Sequence, residues 1–156
     1  MIATDINPQI EIAKAWMESS NKRKNDEMLA AFMSPKCKVY LEDGFNTTAQ
    51  TFCDEMGRIY QSFPDFKFTY ESVCTEGTNT VVINGMYASG THTGAPYSCD
   101  PRKFPEIPAT NKHIVNEEER FVFKFTDDNK LKSFQVVAIG GMTGPAGLYE
   151  QVGGSI

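Results

Sequence analysis

The sequence predicts an α+β fold, in which three N-terminal helices pack on a curved, mostly antiparallel sheet. Two observations lead to this prediction. Apolar residues recur at helical spacing between residues 8 and 63, and alternating, strand-like segments follow between residues 66 and 139. The length of 156 residues predicts one domain over the whole chain. A curved sheet that faces helices would enclose a conical cavity.

Each predicted helix has a local start or stop signal. Asparagine and threonine are good N-cap residues, and proline is tolerated in the first turn of a helix but ends a helix that has already formed. The first helix presents Trp16 on its apolar face, and the second is expected to run through Met33. The predicted starts are Asn7–Pro8, Asn25 and Thr48, and the predicted stops of the second and third helices are Pro35 and Pro64.

The strands are predicted from alternation of apolar and polar residues and from the turn residues between them. Alternation places Phe121, Phe123 and Phe125 on one face of the penultimate strand. The predicted strands are Cys37–Leu41, Phe66–Tyr70, Thr80 to about Thr93, about Lys112 to Thr126, and Leu131 to about Ile139.

Two segments do not follow these periodicities. Residues 95–111 contain four of the eight prolines, and a loop of this length is expected to act as a lid or to pack on a partner subunit. Residues 140–156 contain six of the twelve glycines. The apolar residues Leu148, Tyr149 and Val152 favour a segment that docks on the domain, with a flexible tail as the alternative.

Composition argues against several classes of function. The chain has 15 basic and 20 acidic residues and a net charge of −5, so nucleic acid or an anionic membrane is not expected as a partner. The four cysteines include no CxxC pair, and there are only two histidines, so no metal site is predicted. The N-terminus lacks a signal-peptide pattern, which predicts a cytoplasmic protein with reduced thiols.

Four short motifs occur in a recognisable order. They are Phe63-Pro64-Asp65, Gly90-Thr91-His92-Thr93-Gly94, Pro108-Ala109-Thr110-Asn111-Lys112 and Asn129-Lys130-Leu131. Together they resemble the SnoaL-like polyketide cyclases of the NTF2-like superfamily, over roughly residues 9–139. This resemblance implies an NTF2-like cone and, as is common in the superfamily, a homodimer.

The resemblance also implies an enzyme without a cofactor, which binds a small apolar carbonyl compound in the cone. In these cyclases an Asp on the penultimate strand moves a proton, assisted by a histidine. Here Phe121 occupies the expected Asp position. Glu119, two residues away on the same predicted face, could replace it.

His92 and Glu119 are therefore the predicted catalytic residues. A histidine has a suitable pKa for proton transfer, but His92 could instead hold the turn before the long loop. A carboxyl group in an apolar cavity could serve as acid or base, but Glu119 could instead belong to a solvated strand end with cross-strand ion pairs.

The predicted ligand-binding residues are mostly aromatic, and plain core packing is the alternative for most of them. Trp16 and Tyr40 would each need a hydrogen-bond partner if buried. Gln135 either meets solvent or reaches the cavity. The predicted set is Trp16, Phe32, Tyr40, Tyr60, Tyr87, Phe121 and Gln135.

Three functions remain open from the sequence. The first is a cyclase or isomerase that uses acid/base chemistry on an apolar carbonyl compound. The second is a non-catalytic binder of a hydrophobic metabolite, favoured by the missing Asp. The third is a dimeric structural protein, which a cone filled by Phe121, Phe123 and Phe125 would favour, whereas an open cavity of about 300 Å³ or more would favour a ligand.

Overall fold

The computed structural model describes residues 7–24, 27, 33–41 and 46–156. Most of the predicted second helix, including Phe32, lies outside these residues. The prediction that this helix runs through Met33 is wrong, because Met33 begins a strand. The helices are α1 (Pro8–Asn21), α2 (Ala49–Ser62) and α3 (Gly144–Gln151). The strands are β1 (Met33–Tyr40), β2 (Asn46–Thr48), β3 (Lys67–Thr69), β4 (Ser72–Thr75), β5 (Thr80–Thr91), β6 (His113–Val115), β7 (Glu119–Phe125) and β8 (Leu131–Ala138).

The first and third predicted helix starts are confirmed. The side chain of Asn7 accepts hydrogen bonds from the backbone N–H groups of Gln9 and Ile10, and Pro8 follows as the first helical residue. The side chain of Thr48 accepts from the N–H of Thr51 at 3.1 Å. Both caps satisfy N–H groups that a helix start leaves unpaired.

The sheet has the order β2-β1-β8-β7-β5-β3, and β4 and β6 also pair with β5. All neighbours are antiparallel except β1 and β8, which run parallel. The predicted α+β fold, with helices on a curved and unclosed sheet, is confirmed.

The long strand β5 bends near Gly85, and the strands that pair with it on either side change at the same place. Gly85 has a positive φ of 62°, and the register between β5 and β7 shifts between Ile83 and Met86. Such a bulge bends a strand and breaks its ladder. On one side β5 therefore pairs with β4 and then β3, and on the other with β7 and then β6. For this reason the single strand predicted over residues 112–126 is two strands.

The C-terminal segment docks on the domain as helix α3. Leu148, Tyr149 and Val152 are buried, which confirms docking over the flexible alternative. Asn116, in the link between β6 and β7, holds both ends of α3. Its amide N–H donates to the Gly144 carbonyl at 3.1 Å, and its oxygen accepts from the Gln151 side chain at 2.7 Å.

The proline-rich loop 95–111 packs within the chain. Its start bonds to the end of α2, where the Ala95 N–H donates to the Gln61 carbonyl at 2.9 Å. Its far side supports α3, because the hydroxyl of Tyr149 donates to the Pro105 carbonyl at 2.6 Å. The loop therefore joins α2 to α3. None of the helices in the described part of the chain is long and apolar enough to cross a membrane.

Candidate active site

The side of the sheet that faces α1 and α2, called here the concave face, carries the largest buried side chains. On β7 the side chains alternate, so that Glu119, Phe121, Phe123 and Phe125 are buried and the residues between them are more exposed. The predicted alternation of this strand is confirmed. Glu119 thus lies on the same face as the phenylalanines.

Glu119 is at the end of this face, where β7 begins. Its residue is 4% exposed, and it pairs with Met86 on β5 and Ala138 on β8. Met86 is buried, but Ala138 is exposed, and so is the next residue, Ile139. Glu119 is therefore buried, but its pairing partner on the neighbouring strand β8 is exposed.

The two neighbouring glutamates have different surroundings. The exposed Glu117 accepts a hydrogen bond from the backbone N–H of Met142 at 2.6 Å, and Glu118 accepts from the hydroxyl of Tyr87 at 3.5 Å. Glu117 therefore fixes the chain after β8, and Glu118 belongs to the opposite face. Within the run of three carboxylates, Glu119 alone is buried.

Trp16 lies at the centre of an aromatic cluster on the concave face, called here the ring cluster. It is 1% exposed and projects from α1. Its ring centroid lies 4.8 Å from that of Phe134, 5.4 Å from Phe123, 6.0 Å from Phe52 and 6.2 Å from Phe121. Its indole Nε1 is buried and has no hydrogen-bond partner among the described residues. Two members of the ring cluster, Phe121 and Phe123, lie on the same face of β7 as Glu119.

His92 follows β5 and is fully buried. Its ring stacks on Phe63 at 5.1 Å, and its Nδ1 lies 3.1 Å from the hydroxyl oxygen of Thr110. The Thr110 N–H also donates to Nδ1 at 3.3 Å, which assigns the ring proton to Nε2. Within the described part of the chain Nε2 has no hydrogen-bond partner. Burial lowers the pKa of His92 below its ordinary value, and the Ala95 backbone offsets part of this effect.

The structure does not bring His92 next to Glu119. Glu119 pairs with Met86, and His92 follows six residues later along β5. Six residues of strand span roughly 20 Å, so the two groups occupy opposite ends of the concave side. The motif residues around His92 instead bind one another. The backbone N–H and hydroxyl of Thr91 donate to the two carboxylate oxygens of Asp65, at 2.6 and 2.8 Å.

Phe32 lies outside the described residues, and of the other predicted ligand-binding residues only Phe121 joins Trp16 in the ring cluster. Tyr40 pairs with Gln135, whereas their neighbours Val39 and Phe134 are buried and form the next pair. Tyr40 and Gln135 therefore belong to the convex face, where Gln135 is exposed.

Tyr60 and Tyr87 also lie outside the ring cluster. The hydroxyl of Tyr60 bonds to Ser20 and so joins α2 to α1. Tyr87 lies beside Glu118.

A hollow of about 350 Å³ opens on the outer side of α2, away from the ring cluster. It is polar, and its two arginines already have partners. Arg58 pairs with Glu55 at 2.7 Å, and Arg23 donates to the Pro64 carbonyl at 2.8 Å. The lining residues are Arg23, Cys53, Asp54, Gly57, Arg58, Tyr60 and Gln61.

Nucleophilic and metal chemistry have little support at the concave face. Burial raises the pKa of Cys37 to about 11, and the nearby Cys53 adds to the effect, so the Cys37 thiol stays protonated at neutral pH. No group of three or more His, Cys, Asp or Glu residues in the described ranges is placed to hold a metal ion. What the concave face does offer is a buried carboxyl group near solvent and an indole N–H group.

Ala138 is the site residue that sequence reasoning missed. It is exposed and pairs with the buried Glu119, so it borders that residue at the end of the concave face. An alanine near a strand end carries no local signal of this kind, because the pairing of β7 with β8 decides which residue borders Glu119.

No protein-family model matches this sequence, and no curated protein matches it. Solved structures do match. AclR from Streptomyces galilaeus, a candidate hydroxylase, is 16% identical with a TM-score of 0.72, over 94% of this chain and 81% of that one. A SnoaL-like polyketide cyclase from Agrobacterium tumefaciens is 15% identical with a TM-score of 0.61, over 85% and 91%. SalBIII, an epoxide hydrolase/cyclase-like enzyme in pyran ring formation in salinomycin, is 13% identical with a TM-score of 0.60, over 83% and 89%.

The chain therefore has the SnoaL-like fold, as its four sequence motifs indicated. At these identities the likeness concerns the fold.

Proposed function

We propose that this protein is an acid/base enzyme that moves a proton next to the carbonyl group of a small apolar compound, as an isomerase or a cyclase does. The observation that carries the proposal is the position of Glu119. Its carboxyl group is buried on the apolar concave face, at the end of that face bordered by the exposed Ala138. The cyclases among the structural neighbours add support at the level of the fold.

The reaction requires one group that accepts and returns a proton. The Glu119 carboxylate takes a proton from the carbon beside the carbonyl, so that a C–H bond breaks, an O–H bond forms and the substrate becomes an enolate. Return of the proton to another carbon completes an isomerisation. Attack of the enolate carbon on a second carbonyl, which takes up the proton, completes a cyclisation. General acid–base catalysis of this kind contributes about 10²- to 10⁴-fold to a rate.

In this proposal His92 is a supporting residue rather than the partner of Glu119. It lies about 20 Å away along β5 by strand spacing. Its Nδ1 accepts from the Thr110 backbone, and its ring is covered by Phe63. These contacts favour a role in holding the loop 95–111 to the end of β5.

Hydrogen–deuterium exchange of a ketone tests the proposal without knowledge of the natural substrate. The probe is 2-tetralone, an apolar ketone with acidic α-hydrogens, followed by NMR in deuterated buffer. We expect the protein to accelerate exchange and Glu119→Gln to lose about 100-fold of that acceleration, because the amide cannot accept the proton. Glu118→Gln is the matched control and should leave the rate unchanged, since Glu118 belongs to the opposite face.

The proposal fails if the wild-type protein does not accelerate exchange of the bound ketone, or if Glu119→Gln exchanges as fast as the wild type. Binding of 2-tetralone without exchange would instead favour a non-catalytic binder.

The second candidate is a dimeric structural protein, and the ring cluster favours it. Phe121, Phe123 and Phe134 pack directly on Trp16, which leaves little of this part of the cone for a ligand. This candidate predicts a stable dimer by light scattering together with no detectable binding of 2-tetralone.

A further inference from the structure

We infer that the indole N–H of Trp16 is the hydrogen-bond donor that holds the oxygen of the bound ligand. This inference rests on the proposed function and deepens it, because it specifies that the ligand presents a hydrogen-bond acceptor inside the cone. Glu119 would move the proton, and Trp16 would fix the oxygen. The two roles belong to different elements, β7 and α1.

Trp16 buries a hydrogen-bond donor that none of the described residues pairs. Trp16 is 1% exposed, and its Nε1 has no hydrogen-bond partner among the described residues. Leaving a buried N–H unpaired costs about 1–3 kcal/mol, so such groups in folded proteins normally have a partner. An apolar ring at this position would not bring this cost, because it has no polar hydrogen to leave unpaired.

The described aromatic rings that contact Trp16 are all phenylalanines: Phe52, Phe121, Phe123 and Phe134. A phenylalanine ring offers its π face but no oxygen or nitrogen acceptor. Because none of the described residues accepts from the indole N–H, a bound molecule would supply the acceptor.

The ligand chemistry follows from the donor and the rings around it. An indole N–H donates and cannot accept, so it selects a carbonyl or ether oxygen. The apolar rings around it favour a compound that is otherwise hydrocarbon. Phe121 contacts Trp16 and is two residues from Glu119 on the same face of β7. A ketone held by Trp16 would thus lie on the same face of the sheet as the Glu119 carboxylate.

The experiment uses the fact that Trp16 is the only tryptophan in the chain. A ¹H–¹⁵N spectrum of the full-length protein therefore contains one indole N–H signal. We expect that signal to move downfield when 2-tetralone is added. It should not do so with 2-methylidenetetralin, in which a CH₂ group replaces the carbonyl oxygen. An N–H signal shifted upfield by a phenylalanine ring and unmoved by 2-tetralone up to its solubility limit would overturn the inference.

Binding measurements supply the second readout. The wild-type preference for 2-tetralone over 2-methylidenetetralin should fall about five- to tenfold in Trp16→Phe, which is the value of one neutral hydrogen bond. Phe52→Leu is the matched control, because Phe52 packs on Trp16 without a polar atom. It should weaken both probes equally. An unchanged preference in Trp16→Phe would contradict the inference, and if that variant does not fold, the wild-type spectrum decides.

The inference and the proposed function fail separately. Glu119→Gln should still shift the indole signal with 2-tetralone while it loses exchange. A shift without exchange in the wild type would remove the catalytic proposal and leave the Trp16 anchor in place. Exchange that depends on Glu119 without any indole shift would remove the Trp16 anchor and leave the catalytic proposal in place.

Discussion

The two ends of the concave side each bury one titratable group, but they surround it differently. At one end Glu119 pairs with Ala138, which is exposed to solvent. At the other end His92 is enclosed by Phe63 and receives a hydrogen bond from the Thr110 backbone. Burial alone would mark both groups as candidates for catalysis. The exposed neighbour of Glu119 agrees with its proposed catalytic role, whereas the stacked ring and the backbone hydrogen bond of His92 favour a structural role.

The largest effect should come from releasing α3, which is held by Asn116 in the link between β6 and β7. Asn116→Ala removes two hydrogen bonds to α3 and leaves buried polar groups unpaired. We expect it to lower the free energy of unfolding by about 2–3 kcal/mol, measured by chemical denaturation.

Asn116→Ala also tests whether α3 takes part in the reaction. If α3 has only a structural role, ketone exchange by the folded fraction of this variant should stay close to that of the wild type. A large loss of exchange at full folding would mean that α3 is part of the active site. Gln151→Ala removes only one of the two bonds and should give roughly half the loss of stability.

A smaller, pH-dependent effect should distinguish His92 from Glu119. The pKa of His92 is lowered from 6.5 in the folded protein, so the unfolded chain binds a proton more readily. The stabilisation is complete above about pH 6.5 and is lost as the pH falls from that value toward the lower folded pKa. We expect the free energy of unfolding to decline over this range in the wild type.

His92→Asn removes the titrating group while keeping an oxygen near the position of Nδ1. The variant should be less stable overall, yet its stability should change less between about pH 7 and pH 5.5 than that of the wild type. A wild-type slope that survives unchanged in His92→Asn would contradict this assignment, because it would show that another group titrates in this range.

The sequence predicted those parts of the molecule that depend on local signals. Asn7, Thr48 and the alternation along β7 were interpretable because caps and strand periodicity act over a few residues. For the same reason Glu119 was placed on the buried face.

The features that the sequence did not predict depend on long-range pairing. The face to which Tyr40 and Gln135 belong is set by the register of β1 against β8, which no local pattern encodes. Likewise, the break between β6 and β7 follows from the bend of β5 near Gly85. The position of α3 depends on its hydrogen bonds to Asn116. In the sequence, Asn116 cannot be distinguished from an ordinary polar loop residue.

The most direct test of Glu119 as the proton-transfer group compares Glu119→Gln and His92→Asn in one experiment that measures both ketone exchange and stability. Glu119→Gln should lose about 100-fold of the acceleration of 2-tetralone exchange, and the folded His92→Asn protein should retain it. His92→Asn should lose stability, because asparagine does not reproduce the stacking of the imidazole on Phe63. Equal loss of exchange in both variants would contradict this assignment, because it would place His92 and Glu119 in one active site.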